Sequence, residues 1–180
     1  MQISRKLKQE NIAEYLLYMW QVEDLIRAYS LDIDRLDSEY ISRFQLDEEA
    51  HAEMREWYDN LIEMMRSENV AEKGHLQINK NVLIWLTDLH LQLLKSPKYP
   101  FYSAAYYKAL PIIVELRRKA GDNAVGELET CFQALYGVML LRLQGKPVSD
   151  DTNTALATIT QFIGLLSDYY HKDKQEALEF

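Results

Sequence analysis

Glu23 and Arg27 stand four residues apart with the acid first, the favourable order for an ion pair on a helix. Projected at about 100° per residue, both fall on the face that carries Ile12, Leu16, Met19, Trp20 and Ile26, and Asp24 sits on its flank. Further along the chain, Arg142 projects into the middle of the stripe Cys131, Leu135, Met139. Glu23, Arg27 and Arg142 thus point where apolar residues belong, and charges withdrawn from water must be paired or must reach solvent. Two arrangements satisfy that. In one, Glu23 and Arg27 pair at a groove edge and Arg142 snorkels at its helix end. In the other, Glu23, Asp24, Arg27 and Arg142 border a polar pocket between two helices that receives an anion or a partner's side chain. Acid–base catalysis there lacks a third group at any recognisable spacing, so no catalytic residue is assigned.

Two Glu-x-x-His spacings, Glu48–His51 and Glu72–His75, resemble half of a di-iron ligand set, which also needs a carboxylate from each of two other helices. Mostly helical rise separates the two pairs by about 30 Å, and the second straddles Gly74. They are not expected to act together, and neither a metal nor a cofactor is expected. His90 lies at the edge of an apolar face and reads as a hydrogen-bonded interior imidazole. His171 belongs to a charged C-terminal end, and Cys131 reads as a buried, inert thiol. The twelve tyrosines mostly follow helical stripes, which suits packing better than a nucleic-acid surface. The basic run Arg117-Arg118-Lys119 complements the dipole at a helix end before Gly121. No Gly-rich phosphate loop, Gly-x-Ser-x-Gly or Cys-x-x-Cys pattern occurs.

These residues must be positioned by helices. Seven helical segments follow from the 3.6-residue period: about Gln9 to Tyr29, Ile33 to Phe44, a third from Asp47 to near Glu68, His75 to Lys95, Phe101 to Ala120, Asn123 to Gln144, and a last one capped by Ser149. Asp32 and Asp47 are the expected N-caps of the second and third. Pro111 should kink or restart the fifth, and the stripe Tyr102, Ala105, Tyr106, Ala109, Ile113, Leu116, which stays on one side through it, favours a kink; Gly121 should end it. No segment alternates as a strand would. On the fourth, Val82, Trp85, Leu86, Leu89 and Leu93 form one apolar side, and Ile84 with Leu91 form a second. A helix apolar on two sides meets neighbours on both, or meets another subunit.

With 180 residues and only six glycines and four prolines, the chain has the length of one domain and few turns. The expected fold is all-α: a single helical bundle over residues 1–180, with about six to seven mostly antiparallel helices. The net charge of −8 disfavours nucleic acid, and no run reaches the roughly 18 apolar residues of a membrane span. One cysteine permits no internal disulfide and agrees with a reducing, cytoplasmic setting.

The stretch Asn11-Ile12-Ala13-Glu14-Tyr15-Leu16-Leu17-Tyr18-Met19-Trp20-Gln21-Val22-Glu23-Asp24-Leu25-Ile26-Arg27-Ala28 resembles the opening of a domain-of-unknown-function family (number 4924) found in Bacteroidetes. Glu72-Lys73-Gly74-His75-Leu76-Gln77, Asp88-Leu89-His90, Ala109-Leu110-Pro111 and Ala134-Leu135-Tyr136-Gly137 are similar stretches. The resemblance covers nearly the whole chain. It implies a cytosolic bacterial protein with a helical fold, and it brings no activity, cofactor or catalytic residue. The expected function is non-enzymatic, through contact with a protein partner or a second copy. The alternative is an anion-binding or enzymatic bundle with its pocket at Glu23, Arg27 and Arg142.

Overall fold

A computed structural model describes residues 2–180. The fold is all-α, with eight α-helices and two short 3-10 turns and no strand among the described residues. The helices are α1 (Gln2–Glu10), α2 (Ile12–Ala28), α3 (Ile33–Glu39), α4 (Glu48–Ser67), α5 (Gln77–Lys95), α6 (Pro100–Ala120), α7 (Glu127–Leu143) and α8 (Asp150–Gln175). The chain divides into two compact units, residues up to 10 with 14–82, and residues 11–13 with 83–180. The division falls inside α2 and α5.

The caps act as their residue types dictate. Asp32 accepts the N–H groups of Asp34 and Arg35, Asp47 accepts that of Ala50, and Ser149 accepts that of Thr152. The helix beyond the expected number is α1, which carries only Ile3 and Leu7 as large apolar residues and so shows no readable stripe. Asn11 separates α1 from α2 because its Oδ1 accepts the Ala13 N–H at 3.2 Å. The second predicted helix is shorter than expected, since its last turn, Ile41–Phe44, winds as a 3-10 helix. The sixth begins later, at Glu127, after a 3-10 turn at Gly121–Asn123. The fifth does not restart at proline, because α6 runs unbroken through Pro111. That proline is exposed, so water can serve the carbonyl that its missing N–H leaves unpaired. Gly121 ends α6 at φ 56°, a backbone geometry that only glycine adopts freely.

In the first unit Leu16, Met19, Ile26, Leu36, Ile41, Tyr58, Ile62, Met65 and Leu76 are buried. The second unit is centred on rings: Phe162 lies 5.7 Å from each of His90, Tyr102 and Tyr106. His90 is buried, and its Nδ1 meets the Tyr102 hydroxyl at 2.6 Å, the hydrogen-bonded interior imidazole that its position suggests. Cys131 is fully buried in the same unit, and burial pushes its thiol up to about 12.

His171 has a capping role of its own. Its Nε2 accepts the N–H of Ile12, the first residue of α2, at 3.0 Å. Only a neutral imidazole can accept there, because both ring nitrogens of the charged form are donors. Burial lowers the pKa of His171 and of His90, with Asp168 and Glu127 respectively acting in the opposite sense. Both groups ordinarily titrate near 6.5. Below that value the unfolded chain binds protons that the folded chain refuses, so stability is complete above it and falls as the pH drops through it. The urea midpoint is therefore expected to fall between pH 7.5 and pH 5.5, and His171→Gln, whose amide oxygen can still accept, should reduce that fall. An unchanged midpoint would contradict this account.

Candidate functional site

The polar residues singled out on α2 are brought together with the segment 70–79. Glu23 is completely buried. Its Oε1 accepts the backbone N–H of Leu76 at 2.9 Å and the Asn79 Nδ2–H at 2.7 Å. Its Oε2 lies 2.6 Å from His75 Nδ1. The carboxylate accepts on both oxygens, so Nδ1 is the donor to Oε2 and Nε2 is the ring nitrogen not engaged by Glu23. The imidazole stacks on the Trp20 indole with centroids 4.3 Å apart and planes inclined by 12°, and the His75 side chain is 25% exposed. Trp20 and Glu23, three apart on α2, thus grip one imidazole from its face and from its Nδ1 edge.

Arg27 does not pair with Glu23, as the four-residue spacing suggested. Its ion pair is with Asp24, at 2.8 Å. Its guanidinium also donates to the carbonyls of Val70, at 3.0 Å, and Gly74. The physical reason is competition. Glu23 points into the protein, where backbone and amide donors must be matched, while Asp24 stands at the surface beside the guanidinium. Gly74 reaches φ 88°, a left-handed turn that glycine tolerates and that presents its carbonyl to Arg27. Asn79 is also fully buried, and its Oδ1 has no hydrogen-bond partner among the described residues. The site can fix the orientation of an imidazole and tie α2 to the start of α5.

The two Glu-x-x-His spacings dissolve into other contacts. His51 Nε2 meets Asp37 Oδ1 at 2.9 Å, and His75 turns to Glu23. Among the described residues no group of three or more His, Cys, Asp or Glu side chains could hold a metal ion, and no helix is long and apolar enough to cross a membrane.

Arg142 belongs to the second unit. It is exposed, and its Nη2 donates to Asn153 Oδ1 at 2.9 Å in a groove of about 660 Å³ between α7 and α8. The surrounding helix is unusual. In α7, Leu128, Cys131 and Phe132 are buried, yet from Ala134 to Leu143 no residue is, although Arg142 is the only charge in that stretch. On α5 the expected first side is buried at Val82, Leu86, Leu89 and Leu93, whereas Trp85 is 45% exposed, with Lys174 Nζ 6.0 Å from its ring centroid. Ile84 and Leu91, the second side, are 51% and 47% exposed.

Sequence reasoning found Glu23, Asp24 and Arg27 but missed Trp20, His75 and Asn79 as their surroundings. Spacing matches His75 to Glu72, and no sequence signal ties it to a carboxylate 52 residues away. No curated protein and no solved structure matches the chain. A family model does, over residues 1–177, and it is described as a Domain of unknown function (DUF4924). The match takes in both the Glu23–His75 centre and α7, so the chain belongs to the DUF4924 family along nearly its whole length.

Proposed function

We propose that this protein is non-enzymatic and acts through contact with other proteins, self-association included. One observation carries the reading: from Ala134 to Leu143 α7 has a single charge, Arg142, yet no residue of that stretch is fully buried, Ala134 to Leu140 being half-buried and Leu141 and Leu143 exposed. A helix with so few polar positions belongs in an interior, and contiguous apolar residues left partly open to water are characteristic of a binding face. The half-exposed Ile84 and Leu91 on α5 lend the same support. The Glu23 centre then has a structural role, since the oxygens of its carboxylate are all engaged by the segment it holds. A cytosolic setting fits the lone buried Cys131, and an origin in Bacteroidetes rests on the sequence resemblance alone.

The test is mass against concentration by sedimentation. The wild-type mass should rise with concentration, or a partner should co-purify. Leu143→Glu on α7 and Leu91→Glu on α5 place a charge where the side chain is already 65% and 47% exposed, so they should weaken association without unfolding the chain. A protein that stays monomeric at high concentration and retains no partner would remove the proposal.

A second reading, small-molecule binding or catalysis, is favoured by His75, whose side chain is partly exposed and whose Nδ1 is held by Glu23. Under it, a ligand should raise the melting temperature, and Arg27→Ala should abolish that rise.

A further inference from the structure

The groove between α7 and α8 contains a cation with no anion. Leu135, Val138, Met139, Leu143 and Leu156 line it, and no acidic side chain does. Arg142 stands among them, and its one hydrogen-bond partner among the described residues is the neutral amide of Asn153. Asn153 is itself oriented, because its Nδ2 donates to the Val148 carbonyl at 3.3 Å and so leaves Oδ1 turned to the guanidinium. A guanidinium carries five donors in a planar fork, so most of this one remains available. Its complement is an anion that accepts in one plane.

We propose that this groove is a binding site for an alkyl monocarboxylate, with the carboxylate on Arg142 and the hydrocarbon chain along Leu135, Val138, Met139 and Leu156. Charge and polarity select that class. A carboxylate matches the guanidinium fork with two parallel hydrogen bonds. A phosphate or other polyanion would find a single cation, no second charged donor beside the neutral Asn153, Thr160 and Gln161, and a protein of net charge −8. A neutral hydrocarbon would leave Arg142 unmatched. The groove's volume, about 660 Å³, lies within the range of small-molecule sites. The groove shares Leu135, Val138, Met139 and Leu143 with the α7 face argued above for self-association, so a bound carboxylate and a second copy would compete for it, and titration and sedimentation read the two occupants separately.

The test is calorimetric titration of the full chain with dodecanoate, dodecanol and dodecyltrimethylammonium, each kept below micelle formation, with sedimentation run in parallel. Dodecanoate should bind one to one, at least about tenfold more tightly than the cationic amphiphile. Arg142→Gln should weaken dodecanoate by about tenfold to a hundredfold, the range for losing hydrogen bonds to a charged group, and leave dodecanol unchanged. Ala157→Trp, at an exposed position in the groove wall, should weaken both dodecanoate and dodecanol. Equal binding of all three probes, or an Arg142→Gln protein that binds dodecanoate as the wild type does, would overturn the site. So would an Arg142→Gln substitution that changes the sedimenting mass and not the titration, because a second copy would then be the occupant of the groove.

Discussion

Glu23→Ala is expected to destabilise the protein by about 3–5 kcal/mol, read as a shift of the urea midpoint at constant slope. The substitution strands the Leu76 N–H and the Asn79 Nδ2–H, both held by Oε1 in a fully buried setting. A donor left unsatisfied out of water costs about 1–3 kcal/mol, and the space vacated by the side chain adds a cavity term. Asn79 has no reserve, since its Oδ1 already lacks a partner. His75 is partly exposed and can turn to water, so it adds little. Glu23→Gln separates the roles. The amide oxygen can keep the Leu76 and Asn79 bonds, while its NH2 group faces His75 Nδ1 and forces that nitrogen to accept. The cost should fall to about 1–2 kcal/mol, and the His75 proton should move from Nδ1 to Nε2. Nitrogen chemical shifts of the imidazole report that tautomer directly. Equal losses for the two substitutions would show that the hydrogen-bond acceptor at position 23 does not matter.

The second large effect is at Phe162. Its ring is fully buried and touches His90, Tyr102 and Tyr106. Phe162→Ala should cost about 3–5 kcal/mol, the range for deleting a buried aromatic ring, and Phe162→Leu markedly less because most of the volume is kept. The same cavity should act on His90. Burial is what depresses its pKa, so admitting water beside the ring should return its titration toward the ordinary value of 6.5. Proton resonances of the imidazole followed with pH provide the readout. A His90 titration unmoved by Phe162→Ala would mean that this ring does not keep water from the imidazole.

These expectations show where sequence reasoning stops. Periodicity and end signals are local, and they worked. Asp32, Asp47 and Ser149 each cap the helix that follows them, and Gly121 closes α6. The all-α class followed from 3.6-residue stripes and from the scarcity of turn residues. So did the oddity of Glu23 and Arg27, because a charge on an apolar face is visible from spacing alone. Their partners were not visible. Spacing proposed Glu23 with Arg27, and the fold gave Glu23 to His75, Leu76 and Asn79, with Arg27 held by Asp24 and by two carbonyls. Those choices depend on how the segment after α4 returns to α2, and loop closure over that many residues leaves no periodic trace.

Burial divides in the same way. The stripe on α5 marks Val82, Leu86, Leu89 and Leu93 correctly as interior, yet it also claims Trp85, which stays half-exposed. The stripe on α7 would bury Leu135 and Met139 with Cys131, and the chain covers only Cys131 fully. The amino-acid sequence by itself determined which segments are helical, where they begin, and which residues are too apolar or too charged for an ordinary face. Tertiary structure alone decided which of those faces are covered and which buried charge meets which donor. Helix periodicity is set by hydrogen bonds four residues apart, whereas covering a face requires another element brought to it from far along the chain.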